Sequence, residues 1–281
     1  MREINVEQIT NTVKKLSIEA NINLNTDLKD KLYQSIQDEK SPIGRAVLEQ
    51  LIKNEEIAKK EKIPICQDTG FTIVFLDIGR KVILKGGELE KAVNEGVRQG
   101  YTEGYLRKSI IKNPITRPVN TGDNTPAIIH TRIVEGDRIK VTVLPKGGGA
   151  ENMSRIKMLK PADGIEGIKN FVLETVKAAG ANACPPVIVG VGVGGTFDYV
   201  AYLAKKAILR GIGERNSNPL IARYEREWLV EINKLGIGPA GLGGTVTALE
   251  VFIEVFPRHI ATLPAAVNMQ CNAARSKSYI I

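Results

Sequence analysis

The run PPVIVGVGVGG at residues 185–195 contains only proline, valine, isoleucine and glycine. A short apolar run that is rich in β-branched residues and bounded by turn residues predicts a buried strand, which here runs into a glycine loop. The segment TFDYVAYLAKKAILR at 196–210 follows at once and has the pattern of a helix. A buried strand followed directly by a helix requires a core that is built from both kinds of element.

Hydrophobic periodicity divides the remaining chain into further helices and strands. The first 62 residues have helical spacing, and Thr26 and Ser41 are predicted to cap the second and third helices. Residues 127–147 contain two β-branched runs joined across residues 135–137, which predicts a β-hairpin. Further strands are predicted at 71–79 and 81–86, and further helices at 88–104, 164–180 and 217–236.

These elements together indicate the fold class. The sequence predicts an α+β fold, in which a helical N-terminal region (residues 1–62) packs on a mixed sheet-and-helix body (residues 63–281). No low-complexity linker separates the two parts, so we expect one continuous domain.

Composition limits the classes of protein to which the chain can belong. Of its 281 residues, 43% are hydrophobic and 25% are charged, which is the balance of an ordinary globular protein. No apolar run approaches the roughly 18 to 20 residues of a membrane helix, and the amphipathic N-terminus lacks a signal-peptide core. We therefore expect a cytoplasmic protein with no membrane contact and no disulfides among its three cysteines.

The net charge of +8 raises the question of a nucleic-acid partner. The lysines lie beside glutamates, as in KNEEIAKKEK at 53–62, and only 5% of the residues are aromatic. Because no basic stripe is interleaved with aromatic side chains, we expect no nucleic-acid binding. A mild positive field also suits small acidic substrates.

Two glycine-rich segments offer binding loops. Gly190, Gly192 and Gly195 fit the spacing G-x-G-x-x-G, with Glu214 nineteen residues later, as in a dinucleotide fingerprint. No series of βαβ units surrounds them, so an anion-facing glycine turn or a plain tight turn is also open. KGGGAENMS at 146–154 exposes several N–H groups that could cradle a carboxylate or phosphate, or it is a mobile exit from the hairpin.

Histidine is scarce in this sequence. His130 lies within the apolar run AIIHTRIV and is predicted to be structural. His259 follows Arg258 and precedes Cys271 by twelve residues, which makes it a candidate for proton transfer.

The three cysteines, Cys66, Cys184 and Cys271, all fall in loops beside polar or rigid residues. They could be small buried hydrophobes. Their separations of 118 and 87 residues do not match the close cysteine pairs of zinc sites. Three dispersed thiolates can instead hold an iron–sulfur cluster and leave one iron without a protein ligand.

Several longer motifs carry a resemblance to a known family. They are PICQDTG (64–70), LRKSIIKNPITRPVNTGDNTPAIIH (106–130), LPKGGGAENMS (144–154), ACPPVIVGVGVGGTFDYV (183–200) and HIATLPAAVNMQC (259–271). With these motifs in the same order and spacing, the chain resembles the class I, iron–sulfur fumarate hydratases over nearly its whole length. Its length is similar to that of the alpha subunit of the two-subunit form, a subunit pattern that L-tartrate dehydratase shares.

The resemblance implies roles for individual residues. It implies that the three cysteines bind three irons of a [4Fe-4S] cluster, whose fourth iron takes the substrate's carboxylate and hydroxyl. Gln67 and Asp68 match a substrate-contacting pair, and Arg107 matches an arginine that faces a substrate carboxylate. Gly148 or Gly149 matches a backbone contact to the substrate. Asp68 and His259 match polar groups of the active site and are the candidate catalytic residues.

The resemblance also implies an activity and a partner. The implied reaction is the reversible hydration of fumarate to L-malate, with dehydration of L-tartrate or another 2-hydroxy dicarboxylate as the alternative. The groups that single-chain members carry in a second region do not occur here, so a separate beta subunit is expected to complete the site of a hetero-oligomer. A nicotinamide-dependent oxidoreductase and a non-catalytic partner subunit are the alternatives from other classes.

Overall fold

The computed structural model of the chain describes residues 1–281, which form eight α-helices and twelve strands. The helices are α1 (Val6–Ile22), α2 (Thr26–Asp38), α3 (Pro42–Glu61), α4 (Leu89–Glu103), α5 (Gly148–Asn152), α6 (Gly164–Ala179), α7 (Phe197–Ala207) and α8 (Pro219–Asn233). The strands are β1 (Arg2–Asn5), β2 (Phe71–Gly79), β3 (Val82–Lys85), β4 (Ile111–Lys112), β5 (Val119–Asn120), β6 (Ile128–Val134), β7 (Ile139–Lys146), β8 (Arg155–Leu159), β9 (Val187–Gly195), β10 (Ala248–Arg258), β11 (Leu263–Gln270) and β12 (Lys277–Ile280). This mixture confirms the predicted α+β class. None of the helices has the length and apolar character that crossing a bilayer requires.

Contacts group the chain into two compact units. The first unit comprises residues 1–25, 54–148 and 275–281, and the second comprises residues 26–53 and 149–274. The predicted boundary between residues 62 and 63 is not one of the limits of these units, and as a domain boundary it stays a prediction.

The first unit is built on a four-stranded sheet in the order β12-β7-β2-β6. Strand β2 is nearly all apolar and is buried along most of its length, so it occupies the interior of the sheet. Helices α1 and α4 pack together, and α1 also contacts β7. The core between them contains Val13, Leu16, Val74, Leu76 and Val97.

The hairpin predicted for residues 127–147 is wrong. Its two strands, β6 and β7, form as expected, but both pair with β2, which lies between them. The connection at residues 135–138 passes around the end of β2, where the N–H groups of Gly79, Arg80 and Lys81 donate to carbonyls of residues 134–138. Because β2 is a buried strand, it needs a hydrogen-bonding partner on each side, and a local hairpin would leave one side unpaired.

The N-terminus also differs from the predicted helix. Residues 2–5 form β1, which pairs in parallel with β3, and α1 begins only at Val6. The Asn5 side chain accepts a hydrogen bond from the N–H of Glu7 and so caps the helix. The predicted cap at Ser41 is confirmed, since its hydroxyl accepts from the N–H of Gly44 at 3.2 Å.

The second unit is built on a sheet in the order β10-β9-β11-β8. Strand β9 alternates valine and glycine, so its two faces differ. Val189 and Val191 belong to the large core that also contains Phe171 and Trp228. The glycines on the other face adjoin α7.

Close packing of α7 on β9 accounts for the glycines of the fingerprint-like motif. A β-carbon at Gly190 would lie 2.3 Å from the carbonyl oxygen of Ala204, and one at Gly192 would lie 2.3 Å from that of Val200. Both glycines are inside the strand, whereas a dinucleotide fingerprint needs them in the turn before the helix. The motif therefore serves contact between a helix and a strand.

Candidate active site

The segment from Ile65 to Gly70, here called the cysteine loop, is held by side chains that bind its backbone. Asn54 Nδ2 donates to the carbonyl of Ile65 at 2.8 Å, and the N–H of Ile65 donates to the carbonyl of Asn21 at 2.9 Å. Cys66 follows directly and is half-buried. The thiol is therefore attached to a backbone that is anchored immediately before it.

Tyr101 anchors the other end of the cysteine loop. Its buried hydroxyl lies 2.7 Å from the carbonyl of Thr69 and 3.1 Å from that of Gly70. Asn124 Nδ2 also donates to the carbonyl of Gly70, at 3.1 Å. Burial raises the pKa of Tyr101 to about 12, so the phenol keeps its proton and remains a donor at neutral pH.

The Asp68 carboxylate is bound by two backbone N–H groups. Its Oδ1 accepts from Gly70 at 2.9 Å, and its Oδ2 accepts from Gly148 at 2.7 Å. A β-carbon at Gly147 would lie 3.1 Å from Oδ2, so a larger residue would crowd the carboxylate. The glycine turn after β7 thus does cradle a carboxylate, and this one belongs to the protein itself.

Gln67, which lies in the cysteine loop, and Arg107 both have exposed side chains. The hydroxyl of Thr69 donates to the carbonyl of Arg107 at 2.8 Å, which ties the backbone of Arg107 to the cysteine loop. The guanidinium of Arg107 is therefore attached to a fixed backbone while its donors stay open to solvent. Such a group can bind an incoming carboxylate.

In the second unit, the structure brings the backbones of Cys184 and Cys271 together. Cys184 lies between a short 3₁₀ turn and β9, with a left-handed φ of 53°, and its thiol side chain is exposed. Asn272, the residue after Cys271, binds the carbonyl of Cys184 through both its N–H (3.1 Å) and its Nδ2 (2.8 Å). Two cysteines that are 87 residues apart in the sequence are thus joined through one peptide.

Gly149 lies beside the same turn of the second unit. A β-carbon at this position would be 3.4 Å from the carbonyl oxygen of Asn182, two residues before Cys184. Unlike Gly147, Gly149 leaves room for a side chain at ordinary contact distance.

His259 is separated from Cys271 within the second unit. It lies in the turn before β11, whereas Cys271 follows the last residue of that strand. A strand of eight residues spans about 26 Å, so the two side chains are at opposite ends of it. The structure therefore does not bring His259 near Cys184 and Cys271 of the same chain.

A cavity of about 580 Å³ adjoins His259. Its wall includes Phe197, Tyr199 and Phe256, together with Asp198. Thr196 donates to Asp198 at 2.6 Å, and this hydrogen bond lowers the pKa of the carboxyl. The imidazole Nδ1 of His259 accepts from the N–H of Ala261, so the neutral ring carries its proton on Nε2.

Comparison with known proteins decides the family. The family described as "Fumarate hydratase (Fumerase)" matches residues 10–279. The chain belongs to the fumarate hydratase family. A protein of Methanocaldococcus jannaschii with the provisional name L(+)-tartrate dehydratase subunit alpha is 46% identical in an alignment of 274 residues that covers 95% of each chain. The L(+)-tartrate dehydratase subunit alpha of Escherichia coli strain K12 is 34% identical over 98% of this chain and 91% of its own length, and the Shigella sonnei protein of that name matches equally.

Membership of the fumarate hydratase family raises the question of whether the three cysteines have the donor chemistry that an iron–sulfur cluster requires. No disulfide joins them, and none is fully buried. No group of three or more His, Cys, Asp or Glu side chains is arranged to share a single metal ion. A four-iron cluster is larger than one ion, and a donor set of three thiols suits iron–sulfur chemistry rather than Mg²⁺ or Ca²⁺. The donor chemistry of these residues therefore fits the cluster.

Sequence reasoning missed the side chains that hold the cysteine loop of this fumarate hydratase family member. Tyr101 and Asn124 lie in segments whose pattern indicates only a helix and a loop. Arg275 donates to the carbonyl of Asp68, although 207 residues separate the two in sequence. In the sequence, Arg275 is marked only by its place four residues after Cys271, in the segment NAARSK.

Proposed function

We propose that this chain is the alpha subunit of a fumarate hydratase, and that it adds water reversibly to fumarate to give L-malate. A separate beta subunit completes the site in a hetero-oligomer. The cofactor is a [4Fe-4S] cluster held by Cys66, Cys184 and Cys271. Membership of the family supports the hydro-lyase chemistry, and the names of the relatives support the division into subunits.

One observation carries the proposal, namely the anchored cysteine loop with Asp68 seated on the glycine turn. The loop holds a thiol at Cys66 and a carboxylate at Asp68, two residues apart, on a backbone that accepts hydrogen bonds at four of its six carbonyls. Fixed groups of this kind are what a reaction needs when charge develops at a defined position.

The reaction requires stabilisation of a carboxylate next to the carbon that exchanges a proton. In the dehydration direction, the C3–H bond of malate breaks and its proton goes to a base. The electron pair forms the C2–C3 double bond, and the hydroxyl at C2 leaves and is protonated to water. Negative charge builds on the carboxylate attached to C3, so cationic and N–H donors around that carboxylate lower the barrier.

The residues of the chain divide this work. Arg107 and Gln67 bind and orient the substrate carboxylates, and Gly148 and Gly149 offer N–H groups at the glycine turn. Asp68 holds or moves the proton. When bound, the cluster has one iron without a protein thiolate and supplies a Lewis acid for the substrate's carboxylate and hydroxyl.

The contact between Asp68 and Gly148 has a consequence for substrate binding. The N–H of Gly148 donates to Asp68 Oδ2 at 2.7 Å. A substrate carboxylate that binds this N–H takes the place of the Asp68 oxygen. Binding of the substrate thereby releases one oxygen of Asp68 to accept or donate a proton, which makes Asp68 the stronger candidate for proton transfer. His259, which lies beyond the far end of β11 from Cys271, is the second candidate.

L(+)-tartrate is the second candidate substrate. The relatives compared above are named as alpha subunits of L(+)-tartrate dehydratase. Tartrate carries the same two carboxylates as malate and one more hydroxyl, so the same donors can bind it. The preference of the site for one substrate over the other therefore depends on whether it accommodates and binds that extra hydroxyl.

The test is anaerobic co-expression of the chain with its beta subunit, followed by assays with fumarate, L-malate and L(+)-tartrate. We expect hydration of fumarate and dehydration of malate to be fastest. Cys66→Ser should lose both the visible absorbance of the cluster and turnover. Asp68→Asn should keep the absorbance and lower kcat at least about 100-fold, because it lacks a carboxylate for proton transfer.

Asp77→Asn is the matched control for Asp68→Asn. Asp77 is an aspartate of the same unit whose partner is Arg132 on the surface, and its replacement should leave kcat unchanged. If the complex turns over L(+)-tartrate faster than malate, the proposed fumarate hydratase activity is wrong and the chain belongs to an L(+)-tartrate dehydratase. Normal turnover in both Cys66→Ser and Asp68→Asn would show that the chain is a non-catalytic subunit.

A further inference from the structure

Arg275 is a charged side chain in an unusual position. It is only 2% exposed, and it is one of the largest fully buried side chains of the protein. Its Nη1 donates to the backbone carbonyl of Asp68 at 2.6 Å and to Asn21 Oδ1 at 3.0 Å. No carboxylate pairs with it, and its Nε has no hydrogen-bond partner.

A guanidinium buried without a carboxylate costs stability, because the charge has left water without full compensation. A neutral apolar residue would fill the same space at a lower cost. What the guanidinium adds is a charged donor to the peptide of Asp68, and such bonds are shorter and stronger than those between neutral groups. The bond to Asn21 fixes the orientation of the same nitrogen.

Arg275 lies close both to the backbone of Asp68 and to the glycine turn that binds the Asp68 carboxylate. Nη1 holds the peptide that carries the side chain, and Nη2 would lie 3.3 Å from a β-carbon on Gly147, beside the turn that binds Oδ2. Asp68 is thus restrained at its backbone by Arg275 and at its carboxylate by Gly70 and Gly148. Lysine has a single point donor and cannot reproduce the planar fork of arginine.

We propose that Arg275 is a positioning residue that fixes the cysteine loop, so that the Cys66 thiol and the Asp68 carboxylate keep one orientation. The catalytic consequence rests on the proposed function of Asp68. The effect on the orientation of the loop rests only on the contacts of the first unit, and it can be measured without turnover.

The first test measures thiol labelling of the full chain prepared without a cluster. One background keeps only Cys66 (Cys184→Ser, Cys271→Ser), and a second keeps only Cys271 (Cys66→Ser, Cys184→Ser); both retained cysteines are half-buried. We expect Arg275→Met to raise the rate of maleimide labelling at Cys66 about tenfold or more and to leave the rate at Cys271 unchanged, because loss of a charged hydrogen bond opens the loop locally. Arg80→Met, which removes an exposed arginine of the same unit, is the control.

The Cys271 background separates local from general effects. An equal rise of labelling at both cysteines would mean that the substitution loosens the whole fold, and that result would overturn the proposal. So would an unchanged rate at Cys66. If Arg275→Met does not fold, Arg275→Lys serves in its place and should give a smaller rise that is again confined to Cys66.

The second test measures kinetics in the complex with the beta subunit. Arg275→Lys should lower kcat about tenfold or more with little change in KM, because the group that moves the proton is misplaced while the carboxylate-binding groups remain. A change in KM alone, or in neither constant, would refute the catalytic part of the proposal. If the unmodified complex has no hydro-lyase activity, the proposed function fails, and the labelling experiment still decides the role of Arg275.

Discussion

At the scale of single residues, several buried polar side chains of the first unit bind the backbone of the cysteine loop. The hydroxyl of Tyr101 donates to the carbonyls of Thr69 and Gly70, and Asn124 also donates to the carbonyl of Gly70. A carbonyl that is buried without a donor is costly, so a loop with this many inward carbonyls must be surrounded by donors. The conformation of the cysteine loop therefore depends on residues far away in the sequence.

Replacement of Tyr101 should change how stability depends on pH. The pKa of its phenol in the folded chain is about 12, against about 10 when unfolded, so its contribution is complete below pH 10 and disappears as pH rises to 12. Over that interval we expect wild type to lose up to about 3 kcal/mol more free energy of unfolding than Tyr101→Phe. Urea unfolding at a series of pH values measures the difference.

Tyr105→Phe provides the control for that comparison. Tyr105 is 91% exposed, so its replacement removes no buried hydroxyl. Its replacement is therefore expected to leave the pH dependence of stability as in wild type. Identical alkaline slopes for wild type and Tyr101→Phe would contradict the prediction.

At the scale of elements, β9 shows how one strand serves two different neighbours. Its valines enter the large core on one face, while Gly190 and Gly192 admit the backbone of α7 on the other. Val200 and Ala204 of α7 form a small apolar cluster with Ala266 of β11. Any side chain at the two glycines would push the helix away from the sheet.

Gly192→Ala should destabilise the second unit. The new β-carbon would lie 2.3 Å from the carbonyl oxygen of Val200. Because this oxygen belongs to the backbone of α7 and the β-carbon is fixed to the backbone of β9, neither atom can move away without a shift of its element. We expect a loss of about 3 kcal/mol in the free energy of unfolding, at the upper end of the cost of overpacking. Chemical denaturation followed by circular dichroism measures it.

Gly211→Ala is the matched control. Its β-carbon would meet the carboxylate of Glu214, which is the mobile end of a flexible side chain, at 3.1 Å. A loss below about 1 kcal/mol is expected there. Equal losses of unfolding free energy in the two variants would show that α7 does not pack closely enough on β9 to exclude a β-carbon at Gly192.

At the scale of the whole molecule, the proposed site residues are divided between the two units. Cys66, Asp68 and Arg107 belong to the first, and Cys184 and Cys271 belong to the second. Three cysteines can supply only three thiolates to a cluster of four irons. In the proposed cluster, the fourth iron would have no protein thiolate, and the proposed mechanism requires that iron to be open to the substrate.

The proposed cluster should therefore make activity sensitive to oxygen. We expect the anaerobically prepared complex to lose activity and iron on exposure to air, and to regain both after treatment with ferrous iron and a thiol reductant. Turnover and iron content are measured together, with a sample kept under argon as the control. Full activity in an aerated complex that contains no iron would refute the proposed cofactor.

Local structure could largely be predicted from the sequence. The strand at 71–79 and the helix beginning at 164 occur where their periodicity places them, because side-chain spacing and turn residues act over a few residues. The hairpin at 127–147 could not be predicted correctly. Its two strands and its turn were local signals, but the insertion of β2 between them depended on a strand more than 40 residues away.

The same division applies to the candidate site. The sequence alone determined which residues have the necessary chemistry: three cysteines in loops, an acid beside one of them, and a glycine turn able to bind a carboxylate. Only the tertiary structure decided that Asp68 sits on that turn, that Asn272 links Cys184 to Cys271, and that His259 lies at the opposite end of β11 from Cys271. It also decided that Arg275 holds the loop. The physical reason is that reactivity belongs to a side chain, whereas orientation comes from hydrogen bonds and packing between residues that only folding brings together.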